Sequence, residues 1–94
     1  MIPDKHIWLF WGEMSPSGVF TTLELAEEWI RKHGLSGTLS AMPVDEGVFE
    51  WAVRCNALNL KAEKLPAKSE DPFFIGNCLT ASLEHFHYEN GERF

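Results

Sequence analysis

Apolar and polar positions along the chain change period several times. His6–Trp11 (His-Ile-Trp-Leu-Phe-Trp) is apolar on both alternating faces, which predicts a central β-strand. Gly12–Gly18 then reads as a loop, from the turn chemistry of Ser15-Pro16-Ser17-Gly18. Over Thr22–His33 the period is helical. Leu23, Leu25, Ala26, Trp29 and Ile30 fill one side at 100° per residue, and Glu24, Glu27, Glu28, Arg31 and Lys32 fill the other. Thr21 and Glu24 have the spacing of a capping box, and Phe20 and Leu25 that of a hydrophobic staple. The pairs Glu27–Arg31 and Glu28–Lys32 are i,i+4 in the favourable orientation. Gly34 supplies a left-handed terminus, after which Leu35 can fold back on Ile30. Gly37–Val44 predicts a second strand, so that strand, helix and strand suggest a right-handed crossover with the helix on one sheet face.

Residues 45–56 carry two readings. Phe49, Trp51, Val53 and Cys55 alternate with Glu50, Ala52 and Arg54 as in a strand. A cap at Asp45 and a left-handed stop at Asn56 favour a helix. Asn59–Asp71 reads as a loop holding Lys61, Lys64 and Lys68. Asp71-Pro72 opens a short helix over Pro72–Cys78, Glu84–Glu89 predicts a last strand, and Asn90-Gly91 signals a turn. The expectation is one α+β domain over residues 1–94. It has a small sheet of three to four strands, one long amphipathic helix on one face, and one or two short helices.

Composition narrows the function classes. The 94 residues carry 8 Lys plus Arg against 14 Asp plus Glu, a formal charge of −6. Both halves are acidic and no basic face is legible, which argues against nucleic acid. The longest unbroken apolar run, Ile7–Trp11, is far short of the ~18 residues of a membrane span. Four Trp, seven Phe and one Tyr suffice for one core without disulfides or metal. Cys55 and Cys78 are too few for a disulfide framework. With no signal peptide legible in Met1–Glu13, they read as reduced thiols of a cytoplasmic protein.

The chemically suggestive segment is Glu84-His85-Phe86-His87-Tyr88-Glu89. On a strand, His85 and His87 share one face. Two imidazoles at i,i+2 can hold a zinc ion, for which His6, Asp45, Cys55 and Cys78 are candidate further ligands without diagnostic spacing. The bland reading has both imidazoles hydrogen-bonded within the fold. A third reading is acid–base chemistry by one histidine tuned by a carboxylate. Asp45, Glu46, Glu50 and Trp51, beside a predicted strand end, are candidates for a partner-binding surface, against the plainer reading of a solvated turn or helix cap for the carboxylates. Gly12–Gly18 lacks the spacing and terminal Lys-Ser/Thr of a phosphate loop, and no serine sits in a nucleophile elbow. Trp8, Trp11, Trp29 and Trp51 read as core, and any left exposed becomes an interface anchor.

Four pieces of the chain carry a resemblance that spans nearly all of it. They are Ser17-Gly18-Val19-Phe20 with Ala26-Glu27-Glu28-Trp29-Ile30, then Leu35-Ser36-Gly37-Thr38-Leu39 through Pro43-Val44-Asp45-Glu46-Gly47-Val48-Phe49-Glu50-Trp51-Ala52, then Phe74-Ile75, and Glu84-His85-Phe86-His87-Tyr88-Glu89-Asn90-Gly91. In order and spacing the chain resembles a family of small, mostly bacterial domains of unknown function, whose members carry Gly where this chain has Asn56. The resemblance implies no reaction, ligand or cofactor. The residues themselves favour a small acidic binding module for a basic protein partner, of which toxin-neutralising immunity proteins are one class. The alternative is a metal-dependent or acid–base enzyme built on His85 and His87, with zinc as its metal.

Overall fold

Every strand of the sheet runs antiparallel to its neighbours. The computed structural model describes residues 1–94 and places five strands: β1 (His6–Trp11), β2 (Pro16–Phe20), β3 (Gly37–Pro43), β4 (His85–Glu89) and β5 (Glu92–Arg93). Their order is β2-β1-β3-β4-β5. Four helices interrupt them: α1 (Leu23–His33), α2 (Val48–Arg54), α3 (Leu65–Ser69) and α4 (Pro72–Gly76). The expected sheet of three to four strands with one long helix is therefore corrected to five antiparallel strands with short helices, the longest of 11 residues.

The two added strands lie where local signals were weakest. Pro16–Phe20, whose first three residues have turn chemistry, pairs with β1 through Leu9↔Val19 and Phe10↔Gly18, with a bulge between Phe10 and Trp11. The helical crossover therefore starts from β2, and β1 lies between the two strands that α1 connects. Strand β5 is only two residues long and follows Asn90 (φ 51°) and Gly91 (φ 87°). Two left-handed residues are what a two-residue hairpin needs to match strand twist. The hairpin tip also lies against the end of α1, where a Cβ on Gly91 would sit 3.2 Å from Gly34 Cα.

Helix α1 is capped by Thr22, not Thr21: the Thr22 Oγ1 accepts the Leu25 amide at 3.2 Å. This one-residue shift removes the capping box and the staple, and Leu25 stands 52% exposed. Ala26 and Ile30 are buried with Trp8, Phe10, Leu39, Ala41 and Tyr88, and Leu23, Trp29 and Phe86 pack against them. Gly34 (φ 61°) ends the helix, with the Leu35 amide donating to the Ile30 carbonyl at 3.0 Å.

The helix alternative holds over part of residues 45–56. Its cap is Gly47 and not Asp45, which takes φ 60° in the preceding turn. Asn56 (φ 54°) is the left-handed stop, and Ala57 donates back to the Ala52 carbonyl at 2.7 Å. The Asn59–Asp71 loop contains a 3₁₀ turn at Ala62–Lys64 and then α3. Asp71 caps α4, accepting the Phe73 and Phe74 amides at 3.0 and 3.3 Å.

Candidate functional site

Alternation along paired strands assigns the two sheet faces. Trp8, Phe10, Phe20, Leu39, Ala41, Phe86 and Tyr88 point toward α1 and form the main core with it. Leu9, Trp11, Val19, Thr38, Ser40, Met42, His85 and His87 therefore point the other way. That second face is covered at one end only. Met42 packs on a smaller core of Trp51, Ala52 and Leu83, which carries α2. Toward the opposite end the face is bare: Trp11 is 52%, Val19 62% and Phe94 77% exposed. Trp11, Thr38 and His87 are successive partners across three strands, and the Phe94 ring lies 6.1 Å from that of His87.

His85 and His87 project side by side onto this face, ring centroids 5.3 Å apart and nearly perpendicular. His85 Nδ1 lies 2.7 Å from the Leu83 carbonyl, which can only accept, so Nδ1 carries the proton. His87 Nδ1 lies 3.3 Å from the Thr38 hydroxyl. Neither imidazole is hydrogen-bonded to a carboxylate, as the acid–base reading required. No three His, Cys, Asp or Glu side chains are grouped to hold a metal. His6 faces the α1 side, its Nδ1 2.9 Å from the Pro3 carbonyl and its ring edge-on to Trp8, so the sheet separates it from the histidine pair. Cys55 and Cys78 are both free thiols, and burial, with the Glu50 charge added, pushes the Cys78 thiol up.

The acidic candidates lie elsewhere. Asp45 and Glu50 are exposed, and Glu46 is held by Arg54 at 2.8 Å. That hydrogen bond lowers the Glu46 carboxyl, with desolvation opposing it and the Arg54 charge adding to it. Trp51 leaves the set of surface residues: at 2% exposure it is the centre of the smaller core, because α2 turns its apolar side onto Met42 and Leu83.

Sequence periodicity missed one polar network and one groove. Glu27, placed on the solvent side of α1, accepts from Tyr88 Oη and from Arg93 Nε at 2.9 Å, while the Arg93 guanidinium lies 3.8 Å over the Phe86 ring. An open groove of about 400 Å³ is lined by Leu58, Leu60, Phe73, Phe74, Cys78 and Leu79 at the helical end. The apolar residues there were legible, but not the fold that gathers them.

A family model for a domain of unknown function, DUF7710, matches residues 7–94. No curated protein and no solved structure matches the chain. No helix is long and apolar enough to cross a membrane.

Proposed function

The chain belongs to the DUF7710 family of domains of unknown function, and from its bare sheet face we propose that it is a protein-interaction module for a basic partner. One observation carries this reading: Trp11, Val19 and Phe94 lie exposed at the end of one sheet face that α2 and the smaller core leave uncovered. Exposed aromatics on a rigid sheet are the residues that anchor interfaces when desolvated. The charge around them is one-sided. Glu89 and Glu92 pair across the β4–β5 hairpin and share this face with His87, whereas none of the strand residues on it is Lys or Arg. Arg93 points to the other face and is already taken by Glu27. A basic partner with apolar side chains at its centre complements both features, in line with the overall charge of −6. A basic toxin domain is one partner of this chemistry, so the immunity-protein role falls within the proposal.

The test is site-specific photo-crosslinking in source cells, with the probe at Val19 or at Glu28 on the outer side of α1. A crosslink to a basic protein from position 19 alone supports the reading. Crosslinks from position 28 alone, or to an acidic protein, oppose it.

A further inference from the structure

We propose that His85 and His87 form an open zinc site on the bare sheet face, with both Nε2 atoms as ligands and water in the remaining positions. This inference does not depend on a protein docking there. Three features carry it. The first is the ring separation. Two imidazoles bound through nitrogen at about 2.0–2.1 Å to a tetrahedral ion have centroids about 5 Å apart, and these rings are 5.3 Å apart before any ion binds. That spacing accommodates one ion between the rings once side-chain rotation turns both Nε2 atoms toward it.

The second is tautomer control. The Leu83 carbonyl fixes the His85 proton on Nδ1, so the Nε2 lone pair is free. The Thr38 hydroxyl lies 3.3 Å from His87 Nδ1 and, as a group that both donates and accepts, can accept from the Nδ1–H of the tautomer that leaves Nε2 free. Oxygen acceptors at the second ring nitrogen are the usual supports of metal-binding histidines, since they orient the ring and raise its basicity. The third is access. His87 is exposed and His85 half-buried, on the face that carries no Lys or Arg among its strand residues to repel a cation. With no third side chain grouped there, the site is open and exchangeable, unlike a closed structural site.

Zinc chloride alone is the probe, with calorimetry for stoichiometry and ¹⁵N imidazole spectra to identify the bound nitrogen. The expected result is one zinc per chain, ligated through Nε2 of His85 and His87. Affinity should fall about tenfold or more in His85→Gln and in His87→Gln, and about tenfold in Thr38→Val, which leaves both ligands in place. His33→Gln should bind as wild type. Thermal melts without zinc establish that each variant is folded. Unchanged affinity in a folded His85→Gln/His87→Gln variant, ligation through Nδ1, or no saturable binding below millimolar zinc would overturn the proposal.

Discussion

The Tyr88 hydroxyl donates to the Glu27 carboxylate at 2.5 Å, joining β4 to α1 across 61 residues of sequence. Arg93 donates to the same carboxylate oxygen, so the terminal hairpin is tied to the helix through one acceptor. Removing the hydroxyl in Tyr88→Phe should cost about 1.5–3 kcal/mol, the range for a hydrogen bond to a charged group. Urea melts measure it, and a loss below about 0.5 kcal/mol would mean that the tie is incidental.

The same contact sets a pH dependence. Burial, and then the bond to Glu27, push the Tyr88 phenol up to about 12. The folded state therefore holds this proton more tightly than the unfolded chain does. Its contribution is complete below about pH 10 and is lost as pH rises toward 12. Glu27 behaves in the opposite sense. Burial raises its carboxyl, but the bonds from Tyr88 and Arg93 and the charges of Arg93 and Arg31 outweigh that and leave it lowered. Its stabilisation is present above the ordinary carboxylate range and is lost as pH falls below it. Tyr88→Phe should flatten the alkaline limb of the stability curve, and an unchanged limb would contradict the assignment.

The corrected face of α1 gives a paired test. The Trp29 ring contacts Phe10 and Phe20 at centroid distances of 5.6 and 5.2 Å, whereas Leu25 is half exposed. Trp29→Ala should cost about 3–5 kcal/mol. Leu25→Ala should cost less than about 0.5 kcal/mol. Comparable losses in denaturant melts would mean that the helix is rotated from the orientation described.

Two glycines separate a close approach from open space. A Cβ on Gly37 would collide with the Trp11 carbonyl where β3 meets β1, whereas one on Gly76 meets nothing within 4 Å. Gly37→Ala should lower the melting temperature by several degrees, on the scale of about 4–8 °C per kcal/mol for a small domain. Gly76→Ala should leave it level or raise it, since alanine orders the unfolded helix segment less expensively. Equal effects would contradict the strand register at Trp11↔Thr38.

Cysteine reactivity follows from the surroundings of each thiol. Denatured protein should alkylate at two positions, because Cys55 and Cys78 are both unpaired. In the native state Cys78 should react more slowly than a free thiol at the same pH, since its thiolate is disfavoured by burial and by Glu50. Intact-mass kinetics with iodoacetamide measure both, and native Cys78 reacting at the free-thiol rate would contradict this account.

What was legible in the sequence was local. Gly34, Asn56, Asp71-Pro72 and Asn90-Gly91 each act within a few residues, and each stops, starts or turns an element where expected. Strand β2 was hidden because Pro16, Ser17 and Gly18 have turn chemistry, and only the ladder to β1 makes them strand. The Thr21–Thr22 ambiguity moved the cap by one residue, and Leu25 proved to lie off the buried Ala26–Ile30 face. Histidine placement on one face of β4 followed from strand alternation alone, whereas Trp51 could not be placed before the smaller core was known. Glu27 was unreadable for another reason: its partners lie 61 and 66 positions away, and helical periodicity sees only neighbours.

The most direct test of the interaction reading is the affinity of the crosslinked partner, purified and titrated calorimetrically against variants of the bare face. Trp11→Ala should weaken binding at least tenfold, because a half-exposed tryptophan at the uncovered end of that face is the natural anchor. Glu89→Lys with Glu92→Lys should weaken it further and remove most of its salt dependence. Asp45→Lys, at the turn before α2, should leave it unchanged. Unaltered affinity in a folded Trp11→Ala variant, or weakening by Asp45→Lys alone, would contradict the assignment of this face.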